Sequence, residues 1–150
     1  MKKEKAVIDG CNVVYLDSPR RKPSIKNIFA VITAIEASGR EPVVIVQPEV
    51  LSILGEFELL ERLLSQSCVV RVPAGSDPAR AVLETAQECD AIIVSNNAYV
   101  DYWNEFPWAE LCRLPAAAVD GRVCLLEARF KNADLASLAR AAKAAWHSNM

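Results

Sequence analysis

The sequence contains a single histidine, His147, and its five cysteines include no CxxC pair. Cys11, Cys68, Cys89, Cys112 and Cys124 are scattered singly, which excludes the usual zinc-ligand spacings and suits reduced, mostly buried thiols. Cys11 has no histidine near it in sequence to make it a nucleophile. Long apolar runs are also missing. Met1-Lys2-Lys3-Glu4-Lys5 looks like the positive end of a signal peptide, but only Ala6-Val7-Ile8 follows before Asp9. That run is too short for secretion or spanning, so a cytoplasmic setting without a membrane partner is expected. Neither sign of charge dominates. A formal net charge of −2 gives no global pull toward nucleic acid, so RNA binding would need a local basic patch. Repeats, low-complexity stretches and linkers are lacking too, and the 150 residues read as one domain. At 52% hydrophobic and 24% charged residues, the chain can bury a core.

What is present alternates between strand and helix signals. Ala6-Val7-Ile8 is a short strand closed by Asp9-Gly10. Residues 25–37 carry apolar side chains at helical spacing (Ile28, Phe29, Val31, Ile32, Ile35), with Gly39 as a stop. Val43-Val44-Ile45-Val46 is a continuous β-branched run, suited to a strand buried on both faces. Residues 50–65 are helical with a break at Gly55, and residues 68–72 form a third strand. Asp77 is a good N-cap for a helix over 78–88, with Pro78 at its first position. Residues 91–94 form a fourth strand, and a short helix and then a second near Pro107 are expected over 99–114. Asp120-Gly121 marks a hairpin turn between 117–119 and 122–126, and an alanine-rich helix spans 134–146. This helix suits packing on the sheet or against another copy of the chain. The order predicts a three-layer α/β/α sandwich with a mainly parallel central sheet.

Ligands of open parallel sheets bind beyond the carboxyl ends of the strands. There the sequence places Asp9-Gly10-Cys11-Asn12, then Gly75-Ser76-Asp77, then Ser95-Asn96-Asn97-Ala98-Tyr99-Val100-Asp101. Oxygen donors without histidine or thiolate pairs favour Mg²⁺ or Mn²⁺. If a helix starts near Asn97, then Asn97 and Asp101 share a face. Such a site could activate water for attack on a phosphodiester. Asp77 and Asn97 also have purely structural readings as helix caps, and Asp101 as a solvated acid. Asp90 precedes the fourth strand and so lies at the opposite sheet edge. Tyr99, Trp103, Phe106 and Trp108 read as core or lid packing. Arg20-Arg21-Lys22 follows the first strand on the site's edge, where it could meet an RNA backbone or simply be solvated.

Val7-Ile8-Asp9-Gly10-Cys11-Asn12-Val13 resembles the V-I-D-G-x-N-V opening of the NYN branch of PIN-like ribonucleases. The segment from Asp90 to Asp101 resembles that branch's D-x-I-V-S-N-D-x-Y-x-D motif, with the Regnase-type (MCPIP, CCCH-associated) domain as the nearest pattern and protein-only RNase P as a more distant one. The resemblance covers roughly residues 5–130. It implies a PIN-like fold, Mg²⁺ or Mn²⁺, and endonucleolytic cleavage of RNA. It makes Asp9 the first metal ligand, Asn12 its neighbour and Asp101 the last acid, with Asn12 and Asn97 orienting water or phosphate. Two departures stand out. Asn97 occupies the place of a family acid, and Pro78 and Ala79 stand where the family begins its helix with acids, leaving only Asp77 slightly upstream. Weaker metal affinity is then expected, and a second reading is a non-catalytic PIN-like module that binds RNA or a protein partner.

Overall fold

Strand β1 (Lys5–Asp9) lies at the centre of a parallel sheet, with two strands on either side of it. In the computed structural model, which describes residues 3–16, 22–119 and 122–126, the strand order is β3-β2-β1-β4-β5. Here β2 is Glu41–Val46, β3 is Val69–Arg71, β4 is Ile92–Val94 and β5 is Arg113–Leu114. Ala6-Val7-Ile8 pairs in parallel with Pro42-Val43-Val44 on one side and with Ile92-Ile93-Val94 on the other. The sheet is thus a three-layer sandwich's middle layer, as the alternating elements predicted.

Alternation sorts the two cores. Ala6, Ile8, Val44, Val46, Ile92 and Val94 face one side, and Val7, Ile45 and Ile93 face the other. The first side is covered by α2 (Lys26–Ala37) and α4 (Phe57–Leu64), through Ile28, Val31, Ile35, Leu60 and Leu63. The second is covered by α5 (Pro78–Cys89) and the segment around α6 (Ala109–Cys112), through Val82, Leu83, Ala86, Phe106, Trp108 and Cys112. Both faces being dry explains why the strands read as unbroken apolar runs.

Local chemistry sets the boundaries. A four-residue helix, α1 (Gly10–Val13), starts directly after β1. The expected helix over 50–65 is split into α3 (Pro48–Leu51), a 3₁₀ turn (Ser52–Leu54) and α4, with Gly55 at φ 73° reversing the chain between them. Asp77 caps α5 through a 3.0 Å bond from the Ala79 amide, and Pro78 opens the helix. Two expectations need correction. Residues 99–114 hold the two short helical segments expected, a 3₁₀ turn (Val100–Tyr102) and α6 just after Pro107, but they end in the unexpected two-residue strand β5, which supplies the sheet's fifth member. Strands β6 (Ala116–Val119) and β7 (Arg122–Leu125) pair antiparallel as the hairpin signal implied, but form their own two-stranded sheet lying against α2. Asp120-Gly121 itself, the expected last helix and its packing, Arg20 and Arg21 lie outside the described residues. No helix among the described residues is long and apolar enough to cross a membrane.

Candidate active site

The chain runs outward from β1 to β2 and β3, then crosses back to place β4 on β1's other flank. The carboxyl ends of β1 and β4 therefore frame a topological switch point, where an open parallel sheet leaves a crevice. Asp9 ends β1 and Ser95 follows β4, so both residues stand in that crevice.

Asp9 is only 4% exposed, and its side chain shares the face of Val7 by strand alternation. Its Oδ2 accepts the Tyr99 hydroxyl at 2.5 Å and the Ser95 hydroxyl at 3.3 Å. Burial holds its pKa above the ordinary value of 3.8, against the opposing pull of the Tyr99 and Ser95 hydroxyls and the Asn12 amide. The charge of Asp77 pushes in the same direction as burial. Burial and the neighbouring carboxylate likewise raise Tyr99, so its hydroxyl stays a donor. Tyr99 reaches Asp9 from a left-handed backbone, φ 55°, which costs a non-glycine residue about 1 kcal/mol or more. Asn97 stabilises that reversal by accepting the Tyr99 amide on Oδ1 at 2.9 Å, and its own amide donates to Ser95 Oγ at 3.1 Å.

The remaining polar groups brace the crevice. Asn12 Oδ1 accepts the Asn96 amide at 2.9 Å, tying α1 to the turn after β4. The Asn96 side chain pairs with the Ala116 backbone through both its oxygen (3.0 Å) and its nitrogen (2.9 Å). Gln47, buried after β2, donates Nε2 to the carbonyls of Pro73 (2.8 Å) and Ser76 (3.0 Å), and so holds the loop that delivers Asp77. The second oxygen of Asp77 accepts the Tyr102 hydroxyl. Gly10 sits so close to β2 that a Cβ there would lie 2.7 Å from the Ile45 carbonyl oxygen.

A cavity of about 300 Å³ opens above these groups, lined by Asp9, Cys11, Asn12, Tyr15, Asp77, Pro78, Ala79 and Asn97. A larger groove of about 400 Å³ lies beside α4, but carries none of the strand-end carboxylates. Of the residues singled out in the sequence, Asp9, Asn12, Asp77 and Asn97 thus meet in one cavity, while Asp101 is exposed and does not line it. The shared helical face expected for Asn97 and Asp101 does not exist. Tyr99 turns left-handed between them, and the turn that follows is 3₁₀ and begins at Val100. Lys22 is exposed ahead of α2, and Asp90, in a left-handed cap after α5, lies at the far end of β4. Trp103 is 41% exposed, whereas Phe106 and Trp108 are core residues.

Among the described residues no three histidine, cysteine or acidic side chains cluster to cage a metal ion. A magnesium site needs less, since one or two carboxylates suffice when water and phosphate complete the shell. Asp9 and Asp77 with the amide oxygens of Asn12 and Asn97 are such a hard-oxygen set, and a buried carboxylate resisting ionisation is what a cation would relieve. The set fits the ion. Burial raises the pKa of Cys11, so it adds no thiolate. The residues that sequence reasoning undervalued are Ser95, Tyr99 and Gln47. Ser95 and Tyr99 stood inside the S-N-x-x-Y segment, and Gln47 is a polar residue directly after a buried strand, the same signal that marked Asp9.

Two solved structures of the nuclear protein-only RNase P 2 from Arabidopsis thaliana resemble this fold. The first has 19% identity and a TM-score of 0.65, covering 82% of this chain and 29% of that one. The second has 18% identity and a TM-score of 0.63, covering 83% and 30%. The chain therefore spans under a third of the length of these relatives. No curated protein matches it in sequence. The sequence profile of the Zc3h12a-like Ribonuclease NYN domain matches residues 2–116. This chain belongs to the Zc3h12a-like ribonuclease NYN domain family.

Proposed function

We propose that the chain is a metal-dependent endoribonuclease that hydrolyses RNA phosphodiester bonds in the cavity above Asp9. The observation that carries this reading is the Asp9 carboxylate, buried at the switch point and seated by Tyr99 and Ser95. Asp9 and Asp77 would hold Mg²⁺ or Mn²⁺, which supplies charge neutralisation at the phosphate and an acidified water. Asn12 and Asn97 face the same space as neutral groups that orient water or a phosphate oxygen. Tyr99 and Ser95 fix one Asp9 oxygen and so set the direction of the carboxylate at the cavity wall. Asp101, on the neighbouring turn, adds negative charge near the Tyr102 hydroxyl that Asp77 accepts. Arg20, Arg21 and Lys22 are the basic run that would contact the RNA backbone.

With Asn97 in place of an acid, the cluster carries less charge and should bind its ion weakly, at the high end of cellular magnesium. The test uses labelled single-stranded and stem-loop RNA with Mn²⁺, Mg²⁺ or chelator, beside Asp9→Asn. Cleavage that needs metal and disappears in Asp9→Asn is expected. Cleavage that survives chelation or the substitution overturns the mechanism, and binding without cleavage in every metal overturns the assignment as a nuclease.

A further inference from the structure

Tyr15 is 52% exposed and lines the same cavity as Asp9 and Asn12. Single exposed aromatics are ordinary on protein surfaces, and alone would mean nothing. This one is presented by a pinned turn. Its neighbours Val14 and Leu16 are buried, at 2% and 5% exposure, so the backbone on either side is anchored in the core. Asn27, one residue into α2, donates Nδ2 to the carbonyls of both neighbours, at 2.8 Å to Val14 and 3.1 Å to Leu16. The Ser24 amide adds a 2.9 Å bond to the Val14 carbonyl, and the Tyr15 amide itself closes onto Asn12 at 3.1 Å. The ring belongs to neither hydrophobic core cluster, and its hydroxyl makes no hydrogen bond among the described residues. The clamp thus holds the backbone of an aromatic residue that joins neither core among the described residues.

With the backbone of the turn already fixed, a flat partner that binds the ring has only its side-chain freedom to freeze. The cavity's volume of about 300 Å³ is at the scale of a small ligand site, enough for one nucleotide. Asn12, three residues back on the same turn, lines the floor beside Asp9, so the ring and the acid flank one space. Nucleobases offer a π-face to aromatic side chains only when unstacked, which is how proteins select single-stranded RNA over duplex. Resting on the ribonuclease reading above, we infer that Tyr15 is the residue of this chain that stacks on the unpaired base next to the scissile phosphate.

The experiment compares wild type, Tyr15→Ala and Tyr15→Phe on one RNA sequence, single-stranded and as a blunt duplex, with Mn²⁺. In parallel, fluorescence of a 2-aminopurine placed in the single strand is followed on binding in chelator. Stacking is expected to be worth roughly 5- to 100-fold. Tyr15→Ala should lose that factor in kcat/KM on the single strand, mainly through KM, and should release the 2-aminopurine quenching. Tyr15→Phe should recover both, and the loss in Tyr15→Ala should be smaller on duplex than on the single strand. Equal activity of Tyr15→Ala and wild type on the single strand, or failure of Tyr15→Phe to recover, overturns the inference. If wild type cleaves nothing, the nuclease reading falls separately. In that case Tyr15-dependent quenching still supports base stacking, and quenching that ignores Tyr15 overturns it. Because Tyr15 lies outside both cores, a thermal melt of Tyr15→Ala should match wild type, and a lowered melt assigns the clamp to folding instead.

Discussion

Replacing Asp9 by asparagine should make the protein more stable while abolishing cleavage. The amide has the volume of the carboxylate, so no cavity opens, and its Oδ1 can still accept the Tyr99 and Ser95 hydroxyls. What changes is the charge. A charge-assisted hydrogen bond contributes about 1 kcal/mol more than a neutral one, and the bonds that matter are the 2.5 Å one from Tyr99 and that from the Asn12 amide, the 3.3 Å bond from Ser95 being long. Against that loss stands the desolvation of an ion, several kcal/mol in a protein interior. The raised pKa of Asp9 says that burial outweighs the hydrogen bonds. A net gain of about 0.5–2 kcal/mol is the usual yield from relieving such a site, or roughly 1–8 °C in Tm for a chain of this size. The pH dependence fixes the sign. With a folded pKa above 3.8, the native state holds its proton more tightly than the unfolded chain, so wild-type stability falls as pH rises from there through the folded pKa. The variant's advantage should be absent near pH 3.5 and full at neutral pH. Adding Mg²⁺ at ten times its Kd should raise wild-type stability by about 1.4 kcal/mol and the variant's by much less. Thermal melts in chelator across pH decide it. A lower Tm for Asp9→Asn at neutral pH, or an advantage that persists unchanged at pH 3.5, would refute the reasoning.

Tyr99→Phe keeps the buried ring but removes the donor, costing about 1–3 kcal/mol in urea unfolding. Because that donor pulls the Asp9 pKa down, its loss should move the acidic limb of the kcat/KM profile to higher pH. Gly10→Ala puts a Cβ 2.6 Å from Val46 Cγ1 and 2.7 Å from a β2 carbonyl that cannot retreat, so unfolding should become easier by about 1–3 kcal/mol. Gln47→Ala releases two loop carbonyls and should cost about 1–2 kcal/mol, with weaker Mn²⁺ binding by calorimetry because the Asp77 loop is freed. Asp77→Asn should raise the metal concentration needed for half-maximal cleavage more than Asp101→Asn does, since only Asp77 lines the cavity.

The layered architecture was legible because its cause is local. Strands buried on both faces must be runs such as Val43-Val44-Ile45-Val46, and a helix beginning Asp77-Pro78 announces its own cap. Strand β5 was not, because two residues, Arg113-Leu114, hold their place through pairing with Ile93 and Val94 and not through any pattern of their own. At the site, Asp9 was visible as an acid following a buried strand. Its neighbourhood was misjudged where backbone conformation decides direction. A left-handed tyrosine has no sequence signature, so Asn97 and Asp101 looked like helical partners. The same reversal brings Tyr99, which reads as packing, onto the carboxylate.

The bonds that seat Asp9 have one further consequence, which concerns time. Ser95 and Tyr99 reach it across 86 and 90 residues of chain, and Asn96 reaches Asn12 across 84. At roughly 5–20 residues per second of synthesis, a nascent chain carries an unseated acid for about 5–18 s before Tyr99 exists. Throughout that interval the growing polypeptide, tethered beside ribosomal and messenger RNA, has no assembled cavity. The pocket is therefore a late product of synthesis, closed only when chain segments more than 80 residues apart have both been made.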